Sequence, residues 1–370
     1  MAENPVDPDE LQRLGLYDPV DEHAEARLEL IAYLLGLGAT LDDLVESRDE
    51  LPVVASVVAL RPAGERFTLP EAAARAHMPM EKAVRIWRAG GIPEPGPDDR
   101  VCMEEDVDIF RIFAAGEELM GEEAAMQLAR VVGAAMSRVA DTAISAFLVQ
   151  VGAPSLAEDP TGLALARANS LASALVPGLT HALDVMVRRH LQVNYRPVDA
   201  DSGVVRGYDS QRLAVGFVDL VGSTRLVQQL SIGELGAALN EFDARVTDAV
   251  VAGGGRLVKL IGDEAMFVTP AAATACAITL ELLDFLAGHP VLPEARGGIA
   301  AGEVLSREGD YFGPVVNLAA RAVKLADPGC VLASGDLARQ AREYRFSSIG
   351  TQRLKGFDEP VELFQLERDA

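Results

Sequence analysis

The sequence predicts two different folds in one chain, an all-helical first half and a second half of mixed α and β structure. Two observations carry this. Up to residue 195 Ala, Leu and Glu are abundant, and apolar residues recur at spacings of three and four, as in ARLELIAYLLGLG (26–38), the period of helices with one buried face. From about 212 short apolar runs, LAVGFVDL (213–220), RLVKLIGD (256–263), EAMFV (264–268) and GCVLA (329–333), alternate with helical patterns, which reads as α+β. The expected domains are a helical one over 1–195, a polar linker over 196–211 and an α+β one over 212–370.

In the helical half, Thr68 and Glu71 have the spacing of a capping box, and IPEPGPDD (92–99) cannot stay helical. The segment 67–92 between them has the outline of a helix-turn-helix, broken at Met78-Pro79, with Lys82, Arg85 and Arg88 on its second helix. A major-groove reader has this form. So does a helical hairpin that packs its Ala, Val, Ile and Trp87 into a small core, and the acidic surroundings favour the hairpin. Two long helices are expected at roughly 121–151 and 160–195, separated by Gly152, Pro154 and Pro160.

The chain of 370 residues is 49% hydrophobic and 24% charged, enough apolar material for two cores. Its 56 acidic and 33 basic residues give a net charge of -23, which excludes a polyanion-coating protein and leaves no nucleic acid among the expected partners. A nucleotide stays possible, because a few local cations, metal ions and backbone amides hold it whatever the total. Divided after residue 208, the charge is -16 upstream and -7 downstream. Cys102, Cys276 and Cys330 form no C-x-x-C pair, so neither a disulfide framework nor a zinc site is expected, and a reducing cytoplasm fits. The N-terminus has no basic and apolar leader pattern, and Arg167, Asn169, His181 and Asp184 interrupt the longest apolar stretch, 163–187. The expectation is no signal peptide, no transmembrane segment and a cytoplasmic location.

Three stretches of the second half carry chemistry. In GFVDLVGSTRL (216–226) an apolar strand delivers Asp219 at its end and breaks at Gly222 into Ser223 and Thr224. A carboxylate before such a turn holds a divalent ion while loop amides face phosphate oxygens, or it caps the next helix. In RLVKLIGDEAMFV (256–268) Gly262-Asp263 has hairpin-turn chemistry. If that hairpin lies beside the first strand, Asp219 and Asp263 converge as a pair able to share two Mg²⁺ ions; otherwise Asp263 is a plain turn residue. Lys259, inside an otherwise apolar strand, needs a partner wherever it is buried. In GDYFGPVVNLAARAVKLADPG (309–329) a loop with Asp310 leads into a helix on which Asn317 and Arg321 share a face. These two fix a ribose and neutralise phosphoryl charge, or form a solvated helix face.

Together these residues resemble the catalytic domain of class III adenylyl cyclases over about 212–368, with FVDLVGST like the first metal motif, KLIGDEAMF like the second, and DYFGPVVNLAAR like the segment of purine, ribose and transition-state residues. The resemblance implies a ferredoxin-like, palm-type nucleotidyl cyclase fold and a homodimer that turns ATP into cyclic AMP. It implies that Asp219 and Asp263 hold two Mg²⁺ or Mn²⁺ ions per site, that Lys259 and Asp310 read adenine, that Asn317 orients the ribose and that Arg321 stabilises the transition state. Lys355, in RLKGFDEPVELFQL (353–366), sits where the family often places a lysine against the β- and γ-phosphates, and Gly222, Ser223 and Thr224 form the phosphate-facing turn. It also implies that the metal carboxylates come from one subunit and the Lys, Asp, Asn and Arg set from the other. Glu264 after Gly262-Asp263 makes the hairpin partly like the loop of diguanylate cyclases, which with a guanylyl cyclase, or a silent regulator that uses the domain to dimerise, is the alternative.

The first half resembles, more loosely, the helical regulatory region of soluble actinobacterial adenylyl cyclases, including pH-responsive and fatty-acid-responsive members. His181 and His190, on the helix before the linker, are candidate pH inputs because histidine changes charge between about pH 5 and 8. Nine residues apart, they fall on nearly opposite faces and form no single cluster. The apolar stretches 131–152 and 163–187 are candidates for a fatty acid slot, or for core and dimer packing.

Overall fold

In the computed structural model, which describes residues 7–61, 64–194, 210–223 and 228–368, helices begin where polar caps precede acidic residues. The Thr40 hydroxyl accepts from the Asp43 amide while Asp43 accepts from the Thr40 amide, and Thr68 and Glu71 do the same at 3.3 and 2.8 Å. The chain divides into two units, Met1–Arg196 and Pro197–Ala370. Most of the expected linker, up to residue 209, lies outside the described residues, as does Thr224.

The first unit opens with α1 (Pro8–Arg13), α2 (Ala24–Gly36), α3 (Leu41–Glu46) and α4 (Val54–Leu60), packed around Leu30, Ile31, Leu34, Leu44 and Val54. A second small core, with Phe67, Ala83, Ile86, Trp87 and Phe110, joins α5 (Leu69–Arg75), α6 (Met80–Ala89) and α7 (Glu104–Met120). Residues 67–92 are thus two short helices with buried apolar faces. The cations of α6 all have carboxylate partners, Lys82 with Glu117, Arg85 with Glu122 and Arg88 with Glu94, an arrangement that suits a packed hairpin better than a phosphate-reading helix.

The long helices depart from expectation. α8 (Glu122–Phe147) runs through a π turn, Leu148–Gly152, into α9 (Ala153–Glu158) without stopping at Gly152 or Pro154. The π turn shifts the bonding register so that Pro154 falls at the start of the next helical segment, where a missing N–H costs least. Conversely, the second pattern splits at Leu175 into α10 (Leu163–Ala174) and α11 (Val176–Asn194), because Pro177 crowds the turn before it. Among the described residues, 122–158 and 163–193 are long and apolar enough to cross a membrane by length and composition. The charges that interrupt 163–187 therefore do not exclude a span. Ile144, Leu148, Val149, Met186 and Leu191 stand exposed on these helices.

The second unit runs β1 (Ser210–Leu220), α12 (Ile232–Ala252), β2 (Arg256–Ile261), β3 (Glu264–Thr269), α13 (Ala272–Leu286) and β4 (Ala295–Arg307), the βαββαβ order of a ferredoxin-like core. There follow β5 (Asp310–Phe312), α14 (Pro314–Leu325), β6 (Val331–Ser334), α15 (Gly335–Gln340), β7 (Phe346–Gln352) and β8 (Val361–Leu366). The strands form one sheet in the order β2-β3-β1-β4-β6-β8-β7, with β5 on β4. β1 is buried on both faces from Leu213 to Leu220, which is why its sequence is a continuous apolar run. Leu213, Val215 and Phe217 meet Ala319 and Val323 of α14, while Ala214, Val218 and Leu220 share a core with Phe242 and Ile278 of the two preceding helices.

β4, ARGGIAAGEVLSR, has little of the usual strand composition because α14 lies directly on it. A Cβ on Gly298 would sit 2.3 Å from the Val323 amide nitrogen and 2.4 Å from the Ala319 carbonyl oxygen. One on Gly302 would sit 2.6 Å from a Val315 methyl. All three cysteines are free, and burial pushes the Cys276 thiol up to about 12.

Gly298→Ala must lift α14 from the sheet, so it is expected to destabilise the chain by about 1–3 kcal/mol, an overpacking cost. Gly233→Ala, near the start of α12 with nothing within 4 Å of the new methyl, is expected to be neutral or stabilising. Denaturation midpoints of the two variants check the contrast.

Candidate active site

Asp219, the last residue but one of β1, is only 3% exposed. A carboxylate buried that deeply needs counter-charge. β4 supplies one, since Arg296 stands opposite Asp219 in register and donates Nε and Nη2 to its Oδ2 at 2.9 and 2.7 Å. α14 supplies the other, as Lys324 Nζ donates to Asp219 Oδ1 at 2.8 Å and to Glu264 Oε2 at 2.9 Å. Glu264 faces Asp219 from β3, its register partner on the other side. Burial would pull the Lys324 ammonium down, but bonding to Asp219 and Glu264, with their charge, outweighs it and holds the group above the usual lysine range. A further bond, Arg296 Nη1 to the Lys324 carbonyl at 3.1 Å, ties the two cations together.

Sequence reasoning missed Arg296 and Lys324 as site residues and read Glu264 only as a loop residue. Lys324 was within reach of the pattern, because 317, 321 and 324 share one helix face. Arg296 offered only the weaker sign of a cation in a run of small residues.

Asp263 sits at the tip of the β2–β3 hairpin. Ile261 pairs with Glu264, leaving Gly262 and Asp263 as the turn. Gly262 has φ +64°, the backbone that puts glycine first in a two-residue hairpin loop. The tip is tied to β1, since the Leu220 amide donates to the Asp263 carbonyl at 3.1 Å and the Ser223 hydroxyl donates to the Asp263 carboxylate. Between these contacts Gly222 turns the chain at φ +74°. The two aspartates therefore lie at the same end of the sheet.

These are hard oxygen donors, and among the described residues no set of three or more His, Cys, Asp or Glu converges as a ready-made cage. Two carboxylates still fit Mg²⁺ or Mn²⁺ in this setting. Mg²⁺ takes one or two carboxylates and completes its shell with water and substrate phosphates, and the two cations gathered on Asp219 show that this carboxylate demands positive charge.

Lys259 donates to the Asp310 carboxylate, whose other oxygen accepts from the Tyr311 amide at 2.8 Å. Lys259 is not buried, however. Its side chain is 39% exposed and that of Asp310 29%, because β2 is the edge strand of the sheet. Lysine is tolerated there through its partner and through solvent together.

Asn317 and Arg321 are exposed on α14. Arg321 Nε donates to the Lys355 carbonyl at 3.3 Å, and the Lys355 side chain is itself exposed. Among the described residues, neither Asn317 nor Arg321 bonds to Asp219 or Asp263. A single chain thus ties the Asp263 tip to the end of β1 that carries Asp219, Lys259 to Asp310 and Arg321 to the Lys355 turn, while Lys324, one turn beyond Arg321, reaches Asp219. His181 and His190 both stand exposed on α11 of the other unit.

Residues 9–195 match the adenylate cyclase regulatory domain family, and residues 205–368 match the adenylate and guanylate cyclase catalytic domain family. An adenylate cyclase of Streptomyces coelicolor is 36% identical over 280 residues, 75% of this chain and 72% of its own. An uncharacterized protein of Mycobacterium tuberculosis is 35% identical over 368 residues, 98% of this chain and 94% of its own. A pH-sensitive adenylate cyclase of the same species is 28% identical over 361 residues, covering 93% and 88%. Among solved structures, an adenylyl cyclase from P. aeruginosa aligns with TM-score 0.40 and 24% identity over 44% of this chain and 97% of that one.

Arg296→Met removes the better-fixed counter-charge of a buried anion. The expected loss is about 2–4 kcal/mol of stability, most of it recovered when Asp219→Asn is added in the same chain. Denaturation of the single and double variants at pH 7 measures this.

Proposed function

This chain belongs to the adenylate cyclase family, with a regulatory domain joined to a class III catalytic domain, and we propose that it converts ATP to 3′,5′-cyclic AMP and pyrophosphate in sites shared by two copies of the chain. The observation that carries the reading is the convergence of Asp219 and Asp263 through the backbone bond between Leu220 and Asp263. These carboxylates would hold two Mg²⁺ or Mn²⁺ ions, which when bound make the ribose 3′-hydroxyl acidic and draw charge from the phosphates. Gly222 and Ser223 border the triphosphate.

Lys259 and Asp310 choose the base. Adenine presents N1 as acceptor and the N6 amino group as donor, so a lysine donor and an aspartate acceptor complement it, whereas guanine's O6 and N1–H reverse the order. The pair now bonded to each other exchanges that bond for the edge of the purine. Asn317 orients the ribose. The 3′-oxygen gives up its proton to solvent and bonds to the α-phosphorus while the bond to pyrophosphate breaks, and Arg321 faces the charge that develops there. Lys355 meets the β- and γ-phosphates.

The resemblance to class III cyclases supports a shared site, with Asn317 and Arg321 supplied by a second copy in a two-fold homodimer; compatible with this, neither residue bonds to Asp219 or Asp263 of its own chain among the described residues. The helical domain regulates by shifting that assembly. A pH input through His181 and His190, and a fatty acid along the exposed apolar faces of 122–158 and 163–193, are its proposed controls, in a cytoplasmic protein.

Incubation of the purified chain with ATP and Mn²⁺ is expected to yield cyclic AMP, with Asp219→Asn lowering the rate at least a hundredfold. Lys259→Glu combined with Asp310→Cys is expected to lower turnover of ATP relative to GTP. Absence of cyclic AMP from the wild-type chain would favour a silent dimerisation domain, and a product from GTP alone would favour the guanylyl alternative.

A further inference from the structure

Lys324 stands where a divalent ion would have to bind, and nothing in the cyclase reading gives it a task. We propose that its ammonium is a displaceable internal counter-ion that closes the metal site of the nucleotide-free chain, so that metal binds only by driving Lys324 off Asp219. The proposal rests on the reading of Asp219 as a metal ligand and adds a control to it.

The two cations on Asp219 are built differently. Arg296 lies in the sheet, opposite Asp219 in register, and fastens both Nε and Nη2 to one oxygen, Oδ2. Its remaining nitrogen is held by the Lys324 carbonyl. It is a fixed fork, its side chain 24% exposed. Lys324 takes the other oxygen, Oδ1, with a single bond from a flexible four-carbon stem, and its side chain is 45% exposed. It also has somewhere to go, since the same ammonium already bonds Glu264 at 2.9 Å.

A divalent ion arriving at Oδ1 meets a positive charge in contact with that oxygen. Two cations held against one carboxylate oxygen repel, the more so because Asp219 itself is buried, so the ammonium must give way before the ion can bind. Release is easiest when the ion comes with a triphosphate, whose negative charge compensates both it and the retreating lysine. The site therefore admits a metal–nucleotide complex more readily than free metal, and Lys324 is a positioning residue that sets this preference by holding Asp219.

The test is a titration of Mn²⁺ without nucleotide, in which the free-ion electron paramagnetic resonance signal reports the bound fraction on the full-length chain. Lys324→Met is expected to lower the Kd for Mn²⁺ at least tenfold. Arg307→Met makes the same change of charge at the far end of β4, eleven residues and about 36 Å from Arg296 along the strand, and is expected to stay within twofold of wild type. Lys324→Gln repeats the measurement if the methionine variant does not fold. Wild-type or weaker binding by the folded Lys324 variant, or equal tightening by Arg307→Met, overturns the proposal. Asp219→Asn separates the two readings. If it leaves Mn²⁺ affinity unchanged, Asp219 is not a metal ligand and the proposal falls with that reading. If it abolishes the binding while Lys324→Met gains nothing, the counter-ion role alone is wrong.

Discussion

A carboxylate buried at the end of the central strand governs the catalytic unit. Asp219, 3% exposed, belongs to a strand covered on both faces, and β4 and α14 each send it a cation. That requirement links elements far apart in sequence. The strand order puts Arg296 beside Asp219 on one side and Glu264 on the other, and α14 must lie close enough for Lys324 to reach.

The closeness of α14 is itself a matter of missing atoms. Gly298 and Gly302 leave room for the helix backbone and for Val315, and a helix seated there carries Asn317, Arg321 and Lys324 along one face. The groups proposed to face the substrate and the counter-charge of Asp219 thus share a rigid support, so the packing of β4 and the proposed chemistry are one constraint. In the proposed reading an anionic substrate meets Lys259, Arg321 and Lys355, and the excess of negative charge lies upstream of the catalytic unit.

Much of this was legible in the sequence. The run 213–220 and the Gly262-Asp263 turn announced β1 and the hairpin, because a doubly covered strand must be continuously apolar and a two-residue loop needs a glycine. Asp219, Asp263, Lys259 and Asp310 stood out as charged residues set in apolar strands or at turns. β4 did not stand out, since the glycines that let α14 approach erase the strand signature. Arg296 and Lys324 were hidden for a related reason, because their role depends on which strands become neighbours, and that is a property of topology. The helical half was read correctly in kind and in its breaks at Met78-Pro79, 92–99 and Pro160, and wrongly at two points. Pro154 is absorbed by a π turn whose register shift leaves no mark on composition, while Pro177 divides a helix that periodicity alone would continue.

A single chain places the two aspartates at one end of the sheet and has no bond from Arg321 to either among the described residues, and the central proposal is that Arg321 of a second chain completes the site. Mixing chains that carry Asp263→Ala with chains that carry Arg321→Ala, each tagged so that exchange can be verified, tests this most directly. Each variant alone should be nearly inactive with ATP and Mn²⁺. Random exchange should restore about a quarter of wild-type activity, because half of the dimers are mixed and each of those holds one intact site of two. Verified exchange with no recovery of cyclic AMP formation would place Asp263 and Arg321 in the same chain's site and contradict the shared-site account.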